Sequence, residues 1–318
     1  MLHETSRTSQ ICPRITSKYW LHVSTSQLKH LNTRRIKKFL HSISTQARLS
    51  LYTQDSLSNH PFQNQNSKTN FFSVFKMWAQ PYRKSADVEV GARPLYPMML
   101  EIPELRWSFI RKVYSIIAIQ LLVTIAVGAA VVYYRPIATF FVSTGEGLAL
   151  YILLIFTPFI VMCPLYYYHQ KHPVNYILLG IFTISLAFAV GLTCAFTSGK
   201  VILESVILTT GVVLSLTLFT FWASRRGYDF NFLGPFLFGA VFVLILFALI
   251  QVLFPLGKIS VTIYGCLASI IFCGYIVYDT DNLIKRYTYD DYIWAAVALY
   301  LDIINLFLSL LTIFRATD

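Results

Sequence analysis

The sequence predicts an all-α membrane protein with seven transmembrane helices, and three observations carry that prediction. The chain of 318 residues is 56% hydrophobic and only 13% charged, where a soluble domain carries about a quarter charged residues. Its apolar residues gather into seven runs of about 20, the length a helix needs to cross hydrocarbon at about 1.5 Å per residue. Within the runs the apolar residues are continuous rather than alternating, which argues against the two-residue period of a membrane β-barrel.

In chain order the spans fall near 113–134, 148–168, 174–195, 203–223, 232–253, 259–280 and 292–313. Before the first, Glu104-Leu-Arg106-Trp107-Ser-Phe-Ile-Arg111-Lys112 reads as an amphipathic lead with Trp107 at the membrane interface. Residues 77–112 as a whole read as a cytosolic linker and lead, interrupted by Pro81, Pro94, Pro97 and Pro103. Residues 1–76 differ in kind. They hold eleven Lys or Arg against Glu4 and Asp55, so 11 − 2 = +9 of the net +11 lies there. They are rich in Ser, Thr, Asn and Gln, carry Arg34-Arg35-Ile-Lys37-Lys38, and show no apolar period. Such a composition cannot bury a core, so a disordered extension is expected. A basic, acid-poor N-terminus also suits an organelle transit peptide, so mitochondrial targeting and an untargeted upstream extension with an alternative start both stand. The seven-helix domain then occupies 113–318. With the extension set aside, 15 basic and 13 acidic residues remain, and no nucleic-acid partner is read.

Lys and Arg set the orientation. With the N-terminus cytosolic, the cytosolic flanks hold Arg106, Arg111, Lys112, Lys171, Arg225, Arg226, Lys285 and Arg286, against Arg135, Lys200, Lys258 and Arg315 opposite. Seven spans place the C-terminus across the membrane; a re-entrant last segment would return it. Of the five cysteines, Cys163, Cys194, Cys266 and Cys273 fall in the spans and Cys12 outside them. No CxxC spacing occurs, so neither a disulfide framework nor a zinc site is expected.

Asp302 lies at the centre of the last apolar run and Asp279 near the end of the one before. A carboxylate in a span costs several kcal/mol, so such acids usually face a partner or an aqueous path. The two runs form a hairpin turning near residue 289, which puts Asp279 and Asp302 at depths of roughly 15 and 20 Å. Asp281 is about 200° around the helix from Asp279 and faces elsewhere, with Lys285 one turn on as its partner. Two carboxylates together in a low dielectric resist carrying two charges, so they titrate as a unit. Ionised, they offer hard oxygens suited to Ca²⁺. Tyr275 and Asn305, each one turn away, are candidates to complete the polar patch. The bland alternative is a packing network in which Asp302 bonds another helix. Glu204 reads as a charge near a helix start, and His169, Lys171 and His172 as topology signals. No serine, histidine or cysteine constellation suggests hydrolysis and no phosphate loop is present, so no enzyme and no bound cofactor is expected.

Tyr278-Asp279-Thr-Asp281-Asn282-Leu-Ile284, Asp290-Asp291-Tyr292-Ile and Leu299-Tyr-Leu-Asp302-Ile-Ile-Asn305-Leu-Phe307 strongly resemble the transmembrane Bax-inhibitor-motif family. Arg93-Pro-Leu-Tyr-Pro and Leu105-Arg-Trp-Ser-Phe-Ile-Arg-Lys-Val-Tyr114 make the chain similar to its LIFEGUARD branch in a plant-like form, over about 77–318. The resemblance implies six helices around a central seventh, a pH-sensitive Ca²⁺ leak gated by a diaspartyl pair, and suppression of cell death at endomembranes such as ER or Golgi. Carried over by position, the pair is Asp279 and Asp302. A bacterial member has a gating arginine on its second span; 148–168 contains none. The leading reading is thus an endomembrane Ca²⁺ leak, with Ca²⁺ as cargo and lipid as surroundings. The rival is a non-conducting scaffold that contacts apoptotic or stress-signalling proteins.

Overall fold

The computed structural model describes residues 103–254 and 257–318. The basic extension 1–76 and the linker up to residue 102 lie outside them. Seven helices are long and apolar enough to cross a membrane, which makes this a multi-pass membrane protein. In chain order the helices are α1 (Pro103–Tyr133), α2 (Arg135–Ser143), α3 (Gly145–Tyr168), α4 (Val174–Ala195), α5 (Gly199–Arg225), α6 (Leu233–Leu253), α7 (Gly257–Lys285) and α8 (Tyr292–Thr317), with one 3₁₀ turn at Tyr289–Asp291 before α8. The described residues contain no strand.

Two differences from the sequence reading concern boundaries. The lead 104–112 is no separate segment but the first three turns of α1, because nothing between Pro103 and the apolar run interrupts the helix. Pro103 itself suits a first helical position, where its missing N–H has no partner to lose. The short α2 was not anticipated; its proline at the start and nine-residue length fit a surface turn of helix rather than a span. Pro158 and Pro164 sit inside α3 without ending it, as transmembrane helices permit where freed carbonyls find other donors.

The last span is the centre. Of its apolar window 72% is buried, against 17% for α5. It packs along α7 and also against α1 and α5, touches α4, and meets α3 where Trp294 lies 6.0 Å from Tyr166. α3 rests on α4, and α6 takes an outer place on α7. Close approach rests on glycine. At Gly191 an added Cβ would stand 3.0 Å from the Gly128 Cα and 3.1 Å from the Val131 Cβ, so α4 and α1 meet nearly backbone to backbone, the small-residue packing typical of bilayers. Polar side chains cross-link the interior: Gln120 Nε2 donates to Thr183 Oγ1 over 3.0 Å, and Thr124 Oγ1 lies 2.8 Å from Tyr300 Oη. α8 runs through without a re-entrant turn, and Asp318 accepts from Ser198 at the head of α5.

Candidate functional site

Gly265 sets the register of α7 against α8. A Cβ there would stand 2.7 Å from Ile313 Cγ1 and 3.2 Å from the Ser309 carbonyl, so residue 265 lies opposite about 311. Counting fourteen residues on from Gly265 and fourteen back along the antiparallel partner puts Asp279 level with about 297, some five residues, or ~7.5 Å, short of Asp302. Both acids return to the stripe of the Gly265–Ser309 contact: Asp279 is fourteen residues from Gly265 and Asp302 seven from Ser309, near-whole numbers of turns. Side chains tilt toward their own helix N-terminus. On antiparallel helices that tilt sends Asp279 deeper and Asp302 shallower, which narrows the stagger. Both are buried, Asp279 2% and Asp302 0% exposed. Tyr275 and Asn305, buried as well, lie on the same two helices about one turn from each acid; by the same register Tyr275 is nearly level with Asp302.

Asp281 points elsewhere and has its own partners. Lys285 Nζ stands 2.6 Å from its Oδ1, the pair that the one-turn spacing predicts, and Phe230 N donates to its Oδ2 over 3.3 Å. Lys285 also donates to the Tyr228 carbonyl. Arg286 reaches Asp229 Oδ1 at 2.7 Å, Asn231 Oδ1 at 2.6 Å and Asn282 Oδ1 at 2.9 Å. The loop 226–232 is therefore strapped over the end of α7. From the other side Arg106, on α1, donates through Nε to the Ile284 carbonyl (2.8 Å) and through Nη1 to the Tyr287 carbonyl (2.7 Å). Ile284 offers one of the carbonyls that a helix C-terminus leaves open, Tyr287 lies in the turn just beyond, and cations suit the helix dipole there. α3 carries no arginine; the basic groups close to the acid-bearing helix come from α1 and from the end of α7 itself.

A third polar cluster was missed in the sequence. Tyr292, which starts α8, accepts at Oη from Asn175 Nδ2 over 2.9 Å and lies 3.0 Å from His172 Nε2. The His172 ring stacks parallel to it with an interplanar angle of 10°, and Lys112 Nζ sits 3.3 Å from its ring centre. Asn175 Nδ2 also donates to the His169 carbonyl over 2.9 Å. His172, read as a topology signal, thus helps to hold the head of the central helix. The available clue was Asn175, an amide at the head of a strongly apolar run. Glu204, by contrast, makes an exposed pair with Lys200 at 3.9 Å, as suits a charge near a helix start.

These contacts bring the start of α1, the loops 169–173 and 226–232 and the turn 286–291 to one end of the bundle. All eight basic residues assigned to the cytosolic flank lie there.

The family model for the inhibitor of apoptosis-promoting Bax1 matches residues 106–318. Protein LIFEGUARD 4 of Arabidopsis thaliana is 77% identical over 245 residues, which cover 76% of this chain and 99% of that protein. Bax inhibitor 1 of Schizosaccharomyces pombe is 36% identical over 66% of this chain and 76% of its own length. The Golgi anti-apoptotic protein of vaccinia virus is 34% identical over 67% and 87%. With the acid-bearing helices, the enclosed last span and the acid motifs 278–284, 290–293 and 299–307 inside the matched region, and LIFEGUARD proteins of Arabidopsis thaliana at 77% identity, the chain belongs to the Bax-inhibitor family, in its plant-like LIFEGUARD branch.

Proposed function

We propose that this protein lets Ca²⁺ leak from an endomembrane store, with Asp279 and Asp302 as a shared cation and proton site, and that it thereby restrains programmed cell death. What supports the reading is that both carboxylates are buried and that helix periodicity returns both to the stripe on which α7 and α8 meet. Two carboxylates fall short of the six to eight oxygens a resident Ca²⁺ takes. Among the described residues no group of three or more His, Cys, Asp or Glu could hold a metal. The site thus suits an ion in transit rather than one held in place. A proton shared between the two acids weakens their attraction for Ca²⁺, which couples flux to pH. The strap over the end of α7 and the Arg106 contacts brace the end of the helix that carries Asp279. Suppression of cell death is supported by the relatives' names, Bax inhibitor and Golgi anti-apoptotic protein, and an endomembrane by the second of these.

Reconstitution of the pure protein in liposomes, with a Ca²⁺ dye inside and the pH varied outside, tests the reading. The wild type is expected to leak Ca²⁺ with a pH dependence that Asp279→Asn/Asp302→Asn abolishes. Silence of the wild type supports the scaffold reading instead, and a double variant that leaks like the wild type at every pH sinks the role of the pair.

A further inference from the structure

The eight basic residues at the cytosolic end are not equally engaged. Arg106 is occupied by backbone carbonyls, Lys112 by the Tyr292 ring, and Lys285 and Arg286 by Asp281 and Asp229. Lys171 lies against Tyr167 and Tyr168. Arg225 and Arg226, both exposed, are in no ion pair among the described residues. They are nonetheless positioned. The Arg225 guanidinium lies 5.6 Å from the Trp107 ring centre, and Arg226 lies 4.7 Å from that of Trp222. Trp107 is itself stacked on Phe221 at 5.9 Å and 14°, so the start of α1 and the end of α5 meet in an aromatic stack, and the Trp222–Arg226 pair follows one residue on around α5. Both tryptophans are about half exposed, and Arg111, one turn after Trp107 on α1, is exposed beside it. Gly227, with φ +83°, turns the chain away immediately after Arg226, so the helix ends where the two guanidinium groups begin.

A guanidinium laid on an indole face is oriented by the ring while the N–H donors at its edge stay available. Such forks match the oxygens of a phosphate two at a time, and Trp is the residue that settles at headgroup depth. The acids nearby are Glu104, three residues before Trp107, and Asp229, three after Arg226, and Asp229 is paired with Arg286. We infer that the Trp107–Arg111–Trp222–Arg225–Arg226 shelf is a headgroup site for an anionic membrane lipid that bears a phosphomonoester, of the phosphoinositide class. The partner is a lipid of the leaflet in which the shelf lies. Charge complementarity selects an anion, and two forks together call for more acceptor oxygens than the two of one carboxylate, which favours the three terminal oxygens of a phosphomonoester. This site is independent of the Ca²⁺ reading.

The test uses the full chain in phosphatidylcholine nanodiscs, doped either with a phosphoinositide bearing one phosphomonoester or with phosphatidylserine at matched total charge. Lipid retained after extraction is counted by native mass spectrometry. The wild type is expected to retain the phosphoinositide preferentially. Arg225→Gln/Arg226→Gln is expected to lower that retention about thirtyfold, which is roughly 2 kcal/mol at about 1 kcal/mol per basic residue near an anionic surface. Arg225→Lys/Arg226→Lys keeps the charge and removes the forks, so it is expected to bind both lipids alike, and it carries the test if the Gln variant does not fold. Equal retention of the two lipids by the wild type overturns the inference, as does a Lys variant that keeps the preference. A folded Gln variant that retains as much phosphoinositide as the wild type does so too.

Discussion

Tyr292 carries more of the structure than its place in an apolar run suggests. Its hydroxyl joins Asn175 on α4 and His172 in the loop before it, and its ring underlies Lys112 on α1. Tyr292→Phe keeps the ring and leaves one N–H of a fully buried amide, Asn175, without its acceptor. A buried donor left unmade costs about 1–3 kcal/mol, and a lowered thermal midpoint in detergent, with the fold retained, is the expected result. For the acids, Asp302→Asn alone is expected to flatten the pH dependence of Ca²⁺ flux in liposomes, because one carboxylate cannot share a proton with an amide as two acids do. Both aspartates were legible in the sequence because a charge inside an apolar run stands out on composition alone. Tyr292 was not, because a tyrosine at a span's edge is what any interface shows, and its partners lie more than a hundred residues away.

Elements show the same split between local and distant causes. The seven spans were visible because each run meets the length rule by itself. The third span was placed at its observed bounds, whereas the start of the first and the end of the sixth were placed short, since charged residues such as Arg111 and Lys285 continue a helix into the headgroup zone at no cost to its backbone bonds. The strap over α7 was half visible: Asp281 with Lys285 follows from one-turn spacing, whereas Arg286 with Asp229 joins residues 57 apart. Asp281→Asn removes the carboxylate that stands 2.6 Å from Lys285, whose side chain is 11% exposed, and a loss on the order of 3 kcal/mol is expected. Asp229→Asn breaks a half-exposed pair and is expected to cost under about 1 kcal/mol. Hydrogen exchange of residues 228–232 is expected to speed up in both, more in the first. Glycine register gives a sharper contrast. Gly265→Ala drives its Cβ against Ile313 and the Ser309 carbonyl and is expected to destabilise by about 1–3 kcal/mol. Gly180→Ala and Gly211→Ala meet nothing within 4 Å and are expected to be neutral or to stabilise by up to about 1 kcal/mol. Equal midpoints for Gly265→Ala and Gly180→Ala would falsify the register.

At the scale of the whole molecule, an odd number of crossings separates the head of α1 from the end of α8, with all eight flanking cations at the first end. A tag placed after residue 226 is expected to be reached by antibody when only the plasma membrane is permeabilised, and one after Asp318 only when internal membranes are opened too. The reverse pattern overturns the orientation.

The enclosed α8 has a consequence for how the protein is made. Synthesis delivers the six surrounding spans first, and the helix that fills their centre comes after all of them. Until it arrives, Thr124 lacks the Tyr300 hydroxyl and Asn175 lacks that of Tyr292, so inward polar groups of the earlier helices face lipid or one another. A chain that holds only the six earlier spans is expected to expose this interior surface, the kind of exposure that opens larger proteins to misassembly. Substitutions in α8 that slow its insertion are expected to lower yield in the cell at that stage, separately from any effect on the finished molecule.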